Sequence, residues 1–327
     1  MKNPLSTQKA VKECAKPTLS ERYITYEDEE IEDFEGQIIK GDINDSIISE
    51  LEGRTLCKTK NLENIDYLVK NRLPVVIALL SDSQEILKKR DEGFIIIMPE
   101  SNQDVVDSIM QGFRISERGK VSLPVVVNVD NIVTEEVEIP SQKSIEKFLT
   151  NFNIPKYLSL QKPAIFGIEE KNQKEVQAAM DYTKNFIPKV ADTWNQKFKR
   201  DGGLVEKYNI EKAEQVLITT GSNSMTVKEV AKKLNEKEDT NVGVLRIKFI
   251  RPWAYEEIQK SLKDKKVGVL DQITSLGGKG ILYTDVKNST DSTCISFISE
   301  DKLLSKKEIK KIFKKLNSTD EEETFFL

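Results

Sequence analysis

The sequence predicts an α/β protein made of two parallel-sheet domains. Short apolar runs alternate with amphipathic stretches at helical spacing along most of the chain. The runs are continuous rather than alternating, as in residues 73–80 (LPVVIALL) and 242–249 (VGVLRIKF), which marks strands buried on both faces. With 327 residues the chain is long enough for two such cores.

The last third shows the pattern most clearly. Residues 215–220 (QVLITT) form a β-rich run, and Gly221-Ser222-Asn223-Ser224 leads into a helix whose Val227, Val230, Ala231 and Leu234 share one face. Residues 242–249 are the next strand, ended by Arg251-Pro252, and 256–262 the next helix. Strands at 266–270 and 294–298 enclose a turn at 277–280 and a helical turn at 281–286. A final helix over 305–316 carries Ile309, Ile312, Phe313 and Leu316 on one side.

The first half repeats this grammar less completely. Residues 73–80, 94–98 and 121–129 read as buried strands. Ser101 is placed to cap a helix with Val105, Val106, Ile109, Met110 and Phe113 in one stripe. Upstream, 37–40, 46–52 and 55–58 read as strand, helix and strand. Residues 140–171, with Pro155 and Pro163, read as a linker, followed by a helix over 173–198 interrupted near Pro188. The expected division is a shortened α/β domain over 1–150, linker and long helix over 151–210, a second α/β domain over 211–316, and an acidic tail over 317–327. The polar part of that tail, 317–323, is expected to be disordered.

Composition removes several chemistries. There is no histidine, which excludes Ser-His-Asp and Cys-His catalysis, His-ligated zinc and an imidazole base. Fifty Lys+Arg against 54 Asp+Glu give a net charge of -4, with no case for nucleic-acid binding. Cys14, Cys57 and Cys294 lack C-x-x-C spacing and suit a reducing compartment. The N-terminal MKNPLSTQKAVKE has no apolar core of a signal peptide, and no run approaches membrane-span length, so a cytoplasmic protein is expected.

Five features could carry chemistry. Gly277-Gly278-Lys279-Gly280 follows a strand and could cradle a phosphate, yet it matches neither glycine-rich fingerprint and reads more simply as a tight turn. Gly221–Ser224 is likewise a turn and helix cap before it is an anion site. Residues 27–35 (EDEEIEDFE) carry seven acidic side chains in nine, without calcium-loop spacing; a solvated surface segment is expected and no metal site. The lysine-rich helix face at 302–315 reads the same way. Arg251-Pro252-Trp253 ends a strand, where Arg251 could grip a carboxylate or pair internally, and Trp253 could face a partner or the core.

Taken in order, residues 203–222, 241–258 (NVGVLRIKFIRPWAYEEI) and 267–286 (VGVLDQITSLGGKGILYTDV), with upstream Arg72-Leu73-Pro74, 102–113 and 123–130, carry a family likeness. The sequence resembles a divergent α subunit of the pyruvate:ferredoxin oxidoreductase and 2-oxoacid:acceptor oxidoreductase family. The resemblance implies a thiamin-enzyme pyrimidine-binding-type domain followed by a transketolase C-terminal-like domain. It implies a β subunit partner holding most of thiamin diphosphate and its Mg²⁺, iron–sulfur clusters on ferredoxin-type or γ partner chains only, and CoA as co-substrate. The implied reaction is oxidative decarboxylation of a 2-oxoacid, pyruvate by default.

The departures from the family concentrate in one place. The substrate-facing threonine of its Tyr-Pro-Ile-Thr-Pro segment corresponds to Thr25 in Tyr23-Ile24-Thr25-Tyr26, with both prolines lost. Its thiamin-binding glutamate segment corresponds to Gly41-Asp42-Ile43-Asn44-Asp45-Ser46, where Asp42 or Asp45 would have to substitute. The substrate-gripping arginine is absent at Leu79-Leu80-Ser81-Asp82, and a later Gly-Asp-His-Ser-Asp segment is missing. Two readings follow: a working α subunit using Thr25 and an aspartate, or a catalytically degenerate α-like scaffold that holds its β partner. An unrelated α/β binding protein would make the ordered matches coincidence.

Overall fold

The computed structural model describes residues 2–20, 22–32, 34–41, 53–63, 65–81, 83–129, 135–149, 151, 173–238, 240–300 and 302–327. The expected helix at 46–52, both candidate aspartates, Asp42 and Asp45, and most of the expected linker at 140–171 lie outside them. The chain divides into two compact units. One comprises Met1–Ser81, Lys88–Gly203 and Ile250–Pro252, the other Asp82–Leu87, Leu204–Phe249 and Trp253–Leu327.

In the first unit, β1 (Lys2–Leu5) leads into α1 (Thr7–Cys14), whose Ser6 cap accepts a hydrogen bond from the Lys9 amide. Then come β2 (Arg22–Thr25), β3 (Gln37–Lys40), β4 (Thr55–Thr59), α2 (Asp66–Lys70) and β5 (Val76–Leu79). α3 (Ser83–Lys88) follows in the chain but belongs, all but its last residue, to the second unit, and the first resumes with β6 (Ile95–Ile97), α4 (Asn102–Ser116) and β7 (Val125–Asn128). β8 (Glu135–Glu138) pairs antiparallel with β1, and α5 (Gln142–Glu146) and α6 (Gln173–Phe198) follow. With β12 (Phe249–Arg251), the sheet order is β12-β6-β7-β5-β4-β2-β3, parallel from β6 through β3.

Ser101 caps α4 as expected, accepting from the Asp104 amide at 3.2 Å. The helix lies so close to β7 that a Cβ on Gly112 would stand 3.2 Å from Val125 Cγ1. Several short elements were not foreseen, among them β1, α1, β2, α2, α3, β8 and α5. β2 begins at a charge, Arg22, and runs almost at once into the acidic stretch from Glu27, so no apolar run marks it.

Against expectation, α6 runs through Pro188 without interruption. A proline inside a helix costs about 3 kcal/mol. Here the buried face of Ala179, Met180, Thr183, Ile187, Val190, Ala191 and Trp194 offsets it. Trp194 also meets Phe148 edge-on at 4.9 Å, so the helix is part of the first unit's core.

The second unit contains β9 (Val205–Tyr208), β10 (Gln215–Thr219), α7 (Asn223–Lys237), β11 (Val242–Ile247), α8 (Tyr255–Leu262), β13 (Lys266–Asp271), α9 (Ile281–Lys287), β14 (Cys294–Ile298), α10 (Lys306–Ser318) and β15 (Thr324–Phe326). The sheet order is β15-β14-β13-β10-β11-β9, with only β9 antiparallel to its neighbour. The stripes read from α7 and α10 meet Leu217, Val244, Leu270 and Phe297 in one core. A full capping box, Ser305 with Glu308, starts α10.

The tail is ordered, contrary to expectation. Asn317 and Ser318 finish α10, and β15 pairs parallel with β14 and stacks Phe325 on Phe297 at 5.5 Å. Its acidic residues find lysines: Asp320 meets Lys266 at 2.8 Å and Glu322 meets Lys287 at 2.5 Å. Composition marked 317–323 as polar, and Phe325-Phe326-Leu327, a segment that could dock on a partner, instead lies along this chain's own sheet edge.

Candidate active site at the strand ends of the first unit

β3 lies on one side of β2, and the chain then returns to place β4 on the other. The order therefore reverses between β2 and β4. In open parallel sheets ligands bind outside the carboxyl ends of the strands at such a switch point. Thr25 ends β2 and is the register partner of Lys58 on β4, so the two side chains share one face of the sheet.

Lys58 is a charged residue in the core, its side chain without exposed surface. A buried ammonium requires partners. It donates to Glu27 Oε2 at 2.7 Å and Glu29 Oε1 at 2.6 Å. The Tyr23 hydroxyl, one step down the same face, donates to the other oxygen of Glu29 at 2.9 Å. The Tyr26 ring lies beneath two cations, 5.2 Å from Lys58 Nζ and 4.5 Å from Lys60 Nζ. Thr25 is fully buried, and its Oγ1 accepts the Glu27 backbone N–H at 3.2 Å.

The titration of these groups follows from the contacts. The hydrogen bond from Lys58 holds the Glu27 carboxyl below its usual range, against the opposing effect of burial. Burial, with the charge of Glu27, pushes the Tyr26 phenol up to about 12. Burial and Glu29 push the Tyr23 phenol higher still.

The acidic segment is therefore not simply a solvated surface, as its composition suggested. Glu27 and Glu29 turn inward while Asp28 between them stays exposed and pairs with Lys40 at 2.7 Å. Of the predicted site residues, Thr25 stands at the switch point; Asp42 and Asp45 fall outside the described residues. Sequence reasoning missed Lys58, Glu27, Glu29 and Tyr23. One signal was present: a lysine inside the buried strand Thr55–Thr59 must have a carboxylate partner.

The remaining motifs resolve as structure. At Gly277-Gly278-Lys279-Gly280 the amide groups that open α9 are already taken: Asp271 Oδ1 accepts from Leu282 at 2.6 Å and Oδ2 from Tyr283 at 2.9 Å. A second anion there would meet that carboxylate, so the turn does not fit a diphosphate. Gly221 takes φ +63°, which a turn demands and glycine permits. Arg251 pairs internally with Asp91 at 2.7 Å, and Trp253 Nε1 donates to Ser289 Oγ at 2.8 Å. Lys306 and Lys310 on the basic face of α10 pair with Glu229 and Glu238.

Among the described residues, no group of three or more Asp, Glu or Cys is placed to hold a metal ion. No described helix is long and apolar enough to cross a membrane. All three cysteines are buried, and burial raises the Cys294 thiol to about 11.

Comparison with known proteins places this architecture. Residues 61–199 match the model of the pyruvate flavodoxin/ferredoxin oxidoreductase, thiamine diphosphate-binding domain, and 213–301 match pyruvate:ferredoxin oxidoreductase core domain II. The chain belongs to the pyruvate:ferredoxin oxidoreductase family, as an α-type member. Pyruvate synthase subunit PorA of Methanocaldococcus jannaschii is 37% identical over 232 residues, which cover 66% of this chain and 59% of that protein. PorA of Thermotoga maritima is 32% identical over 244 residues, 67% of this chain and 61% of the relative. This family member thus aligns with about three-fifths of the length of these relatives. A 2-oxoglutarate:ferredoxin oxidoreductase from Magnetococcus marinus, solved with 2-oxoglutarate, coenzyme A and succinyl-CoA bound, shares its fold. The TM-score is 0.72 at 13% identity, over 96% of this chain and 65% of that one. The family-model matches begin at Asn61, just beyond Lys58, so the roles of the switch-point residues are read from this chain's own geometry.

Proposed function

We propose that this chain is the α-type subunit of a thiamin-diphosphate-dependent 2-oxoacid:ferredoxin oxidoreductase, which converts a 2-oxoacid and CoA to acyl-CoA and CO₂ and passes the two electrons released to ferredoxin. The observation that carries this reading is the ordered match of both units to domains of that enzyme family. The relatives named as pyruvate synthase subunits support a heteromeric assembly.

When bound, thiamin diphosphate supplies the nucleophilic carbon and electron sink for decarboxylation. The glycine turn of the second unit does not fit its diphosphate, and the reading assigns most of that group, with Mg²⁺, to a β partner. Iron–sulfur clusters belong to ferredoxin-type or γ partners. This chain's part is to supply Thr25 to orient substrate and Asp42 or Asp45 as the carboxylate for the cofactor's aminopyrimidine. The domain roles follow: a pyrimidine-binding-type unit first, a transketolase C-terminal-like unit second.

Purification of the chain with its partners, followed by 2-oxoacid- and CoA-dependent reduction of a viologen dye, tests the reading. Activity that needs this chain supports it; partners that work fully without it, or a complex inert toward every 2-oxoacid, sink it. One observation favours a second reading, a degenerate α-like scaffold: Lys58 and Thr25 already have internal partners. In that case Thr25→Ala leaves the activity of the complex unchanged, whereas the first reading expects a loss of about tenfold or more.

A further inference from the structure

A single residue occupies both groups at the switch point. The Glu27 carboxylate takes a hydrogen bond from Lys58, and the Glu27 backbone N–H takes the Thr25 hydroxyl oxygen. The two carboxylates on Lys58 are not equivalent. Glu29 is 14% exposed and is anchored from β2 by Tyr23 as well, whereas Glu27 is 34% exposed and lies on the solvent side.

Within the buried cluster one ammonium faces two carboxylates, while Lys60 stands at its exposed rim over the Tyr26 ring. Removing Glu27 would leave a balanced Lys58–Glu29 pair, and replacing it by another carboxylate would leave the charge count unchanged. Breaking a lone buried pair exposes an uncompensated ion; this exchange does not.

We propose that Glu27 is a built-in stand-in for the carboxylate of a bound 2-oxoacid. The substrate carboxylate displaces Glu27 from Lys58, and the same movement withdraws the Glu27 N–H from Thr25. The Thr25 hydroxyl is then free to turn, and its O–H, which the contact with the Glu27 N–H never used, donates to the 2-oxo oxygen. No bond is made or broken in the step; one carboxylate replaces another. Lys58 becomes a substrate-binding residue, Glu27 a latch, and Tyr23 with Glu29 the fixed support. The inference rests on the 2-oxoacid reading and on the placement of Thr25 and Lys58 in register at the point where strand order reverses.

The test compares complexes carrying the wild-type chain, Glu27→Gln, Lys58→Met, Lys58→Arg and Asp28→Asn, with pyruvate and 2-oxoglutarate as probes. Glu27→Gln weakens the competitor and should lower KM about tenfold with kcat within about twofold. Lys58→Met should raise KM about a hundredfold, with Lys58→Arg recovering most of the loss. Asp28→Asn, in the same segment but pointing outward, should change neither constant. An unchanged KM in Glu27→Gln overturns the proposal, as does an unchanged KM in a folded Lys58→Met complex.

Calorimetric binding of pyruvate and 2-oxoglutarate to the same complexes, without turnover, separates this inference from the functional reading. If no complex reduces dye, the oxidoreductase reading falls, yet tighter binding of either acid by Glu27→Gln than by wild type still supports the latch. Equal or absent binding by both overturns it.

Discussion

The Asp271 carboxylate stands in the space that a side chain on Gly280 would need. The same carboxylate accepts the first free amides of α9, so the glycine and the aspartate form one unit: a tight approach and its cap. Gly280→Ala should displace Asp271 and destabilise the protein by about 1–3 kcal/mol. Asp271→Ala should cost about 1–2 kcal/mol through the lost cap. Chemical denaturation followed by circular dichroism measures both; a neutral Gly280→Ala would refute the close approach.

Arg54 and Glu117 form a bidentate pair buried in the first unit. Nε meets Oε1 at 2.5 Å, Nη2 meets Oε2 at 2.7 Å, and Nη1 donates to the Thr18 carbonyl at 2.9 Å. Glu117→Gln or Arg54→Met leaves one buried charge without its counter-ion, and each should cost about 3–5 kcal/mol. Replacing both together should cost less than the sum of the two, as a double-mutant cycle in urea would show.

Asp107 is buried beneath three donors. Trp194 Nε1 reaches it at 3.2 Å, Arg200 Nε at 2.6 Å and Gln103 Nε2 at 3.0 Å. Trp194→Phe removes one of these bonds and should cost about 1 kcal/mol. Asp107→Ala strands the guanidinium and should cost about 3 kcal/mol or more. The fluorescence of Trp194 in the Asp107→Ala chain should also change, because its indole N–H has lost its acceptor.

The pH dependence of the latch has a definite sign. Lys58 holds the folded-state pKa of Glu27 below the ordinary 4.5. The stabilisation is therefore fully present above pH 4.5, and is lost as pH falls through the lower folded value. The difference in melting temperature between wild type and Glu27→Gln should be constant from pH 7 to about 5 and shrink at more acidic pH. A difference that grows on acidification contradicts the pairing.

Much of the fold was legible because periodicity is a local property. Val227, Val230, Ala231 and Leu234 must share a face on any helix, and they do. The apolar runs at 73–80 and 121–129 could be little else than buried strands, and they contain β5 and β7. β2 escaped because Arg22 opens it and the acidic stretch from Glu27 follows it, so no apolar run marks it; its pairing with β3 and β4 is what makes it a strand. Pro188 was read by its local cost, while its helix is held by a buried face set by the rest of the unit.

The sequence alone therefore determined the two α/β units, the absence of imidazole chemistry, the family likeness and Thr25 as a residue to watch. Its acidic run and its lysine at position 58 were visible only as composition. The tertiary structure decided that they meet. Strand order places β2 beside β4 and brings Glu27 and Glu29 over a cation about thirty residues away in sequence, and in that buried setting an ammonium must find carboxylates. Such pairing is a non-local consequence of topology and dielectric, which no window along the chain contains.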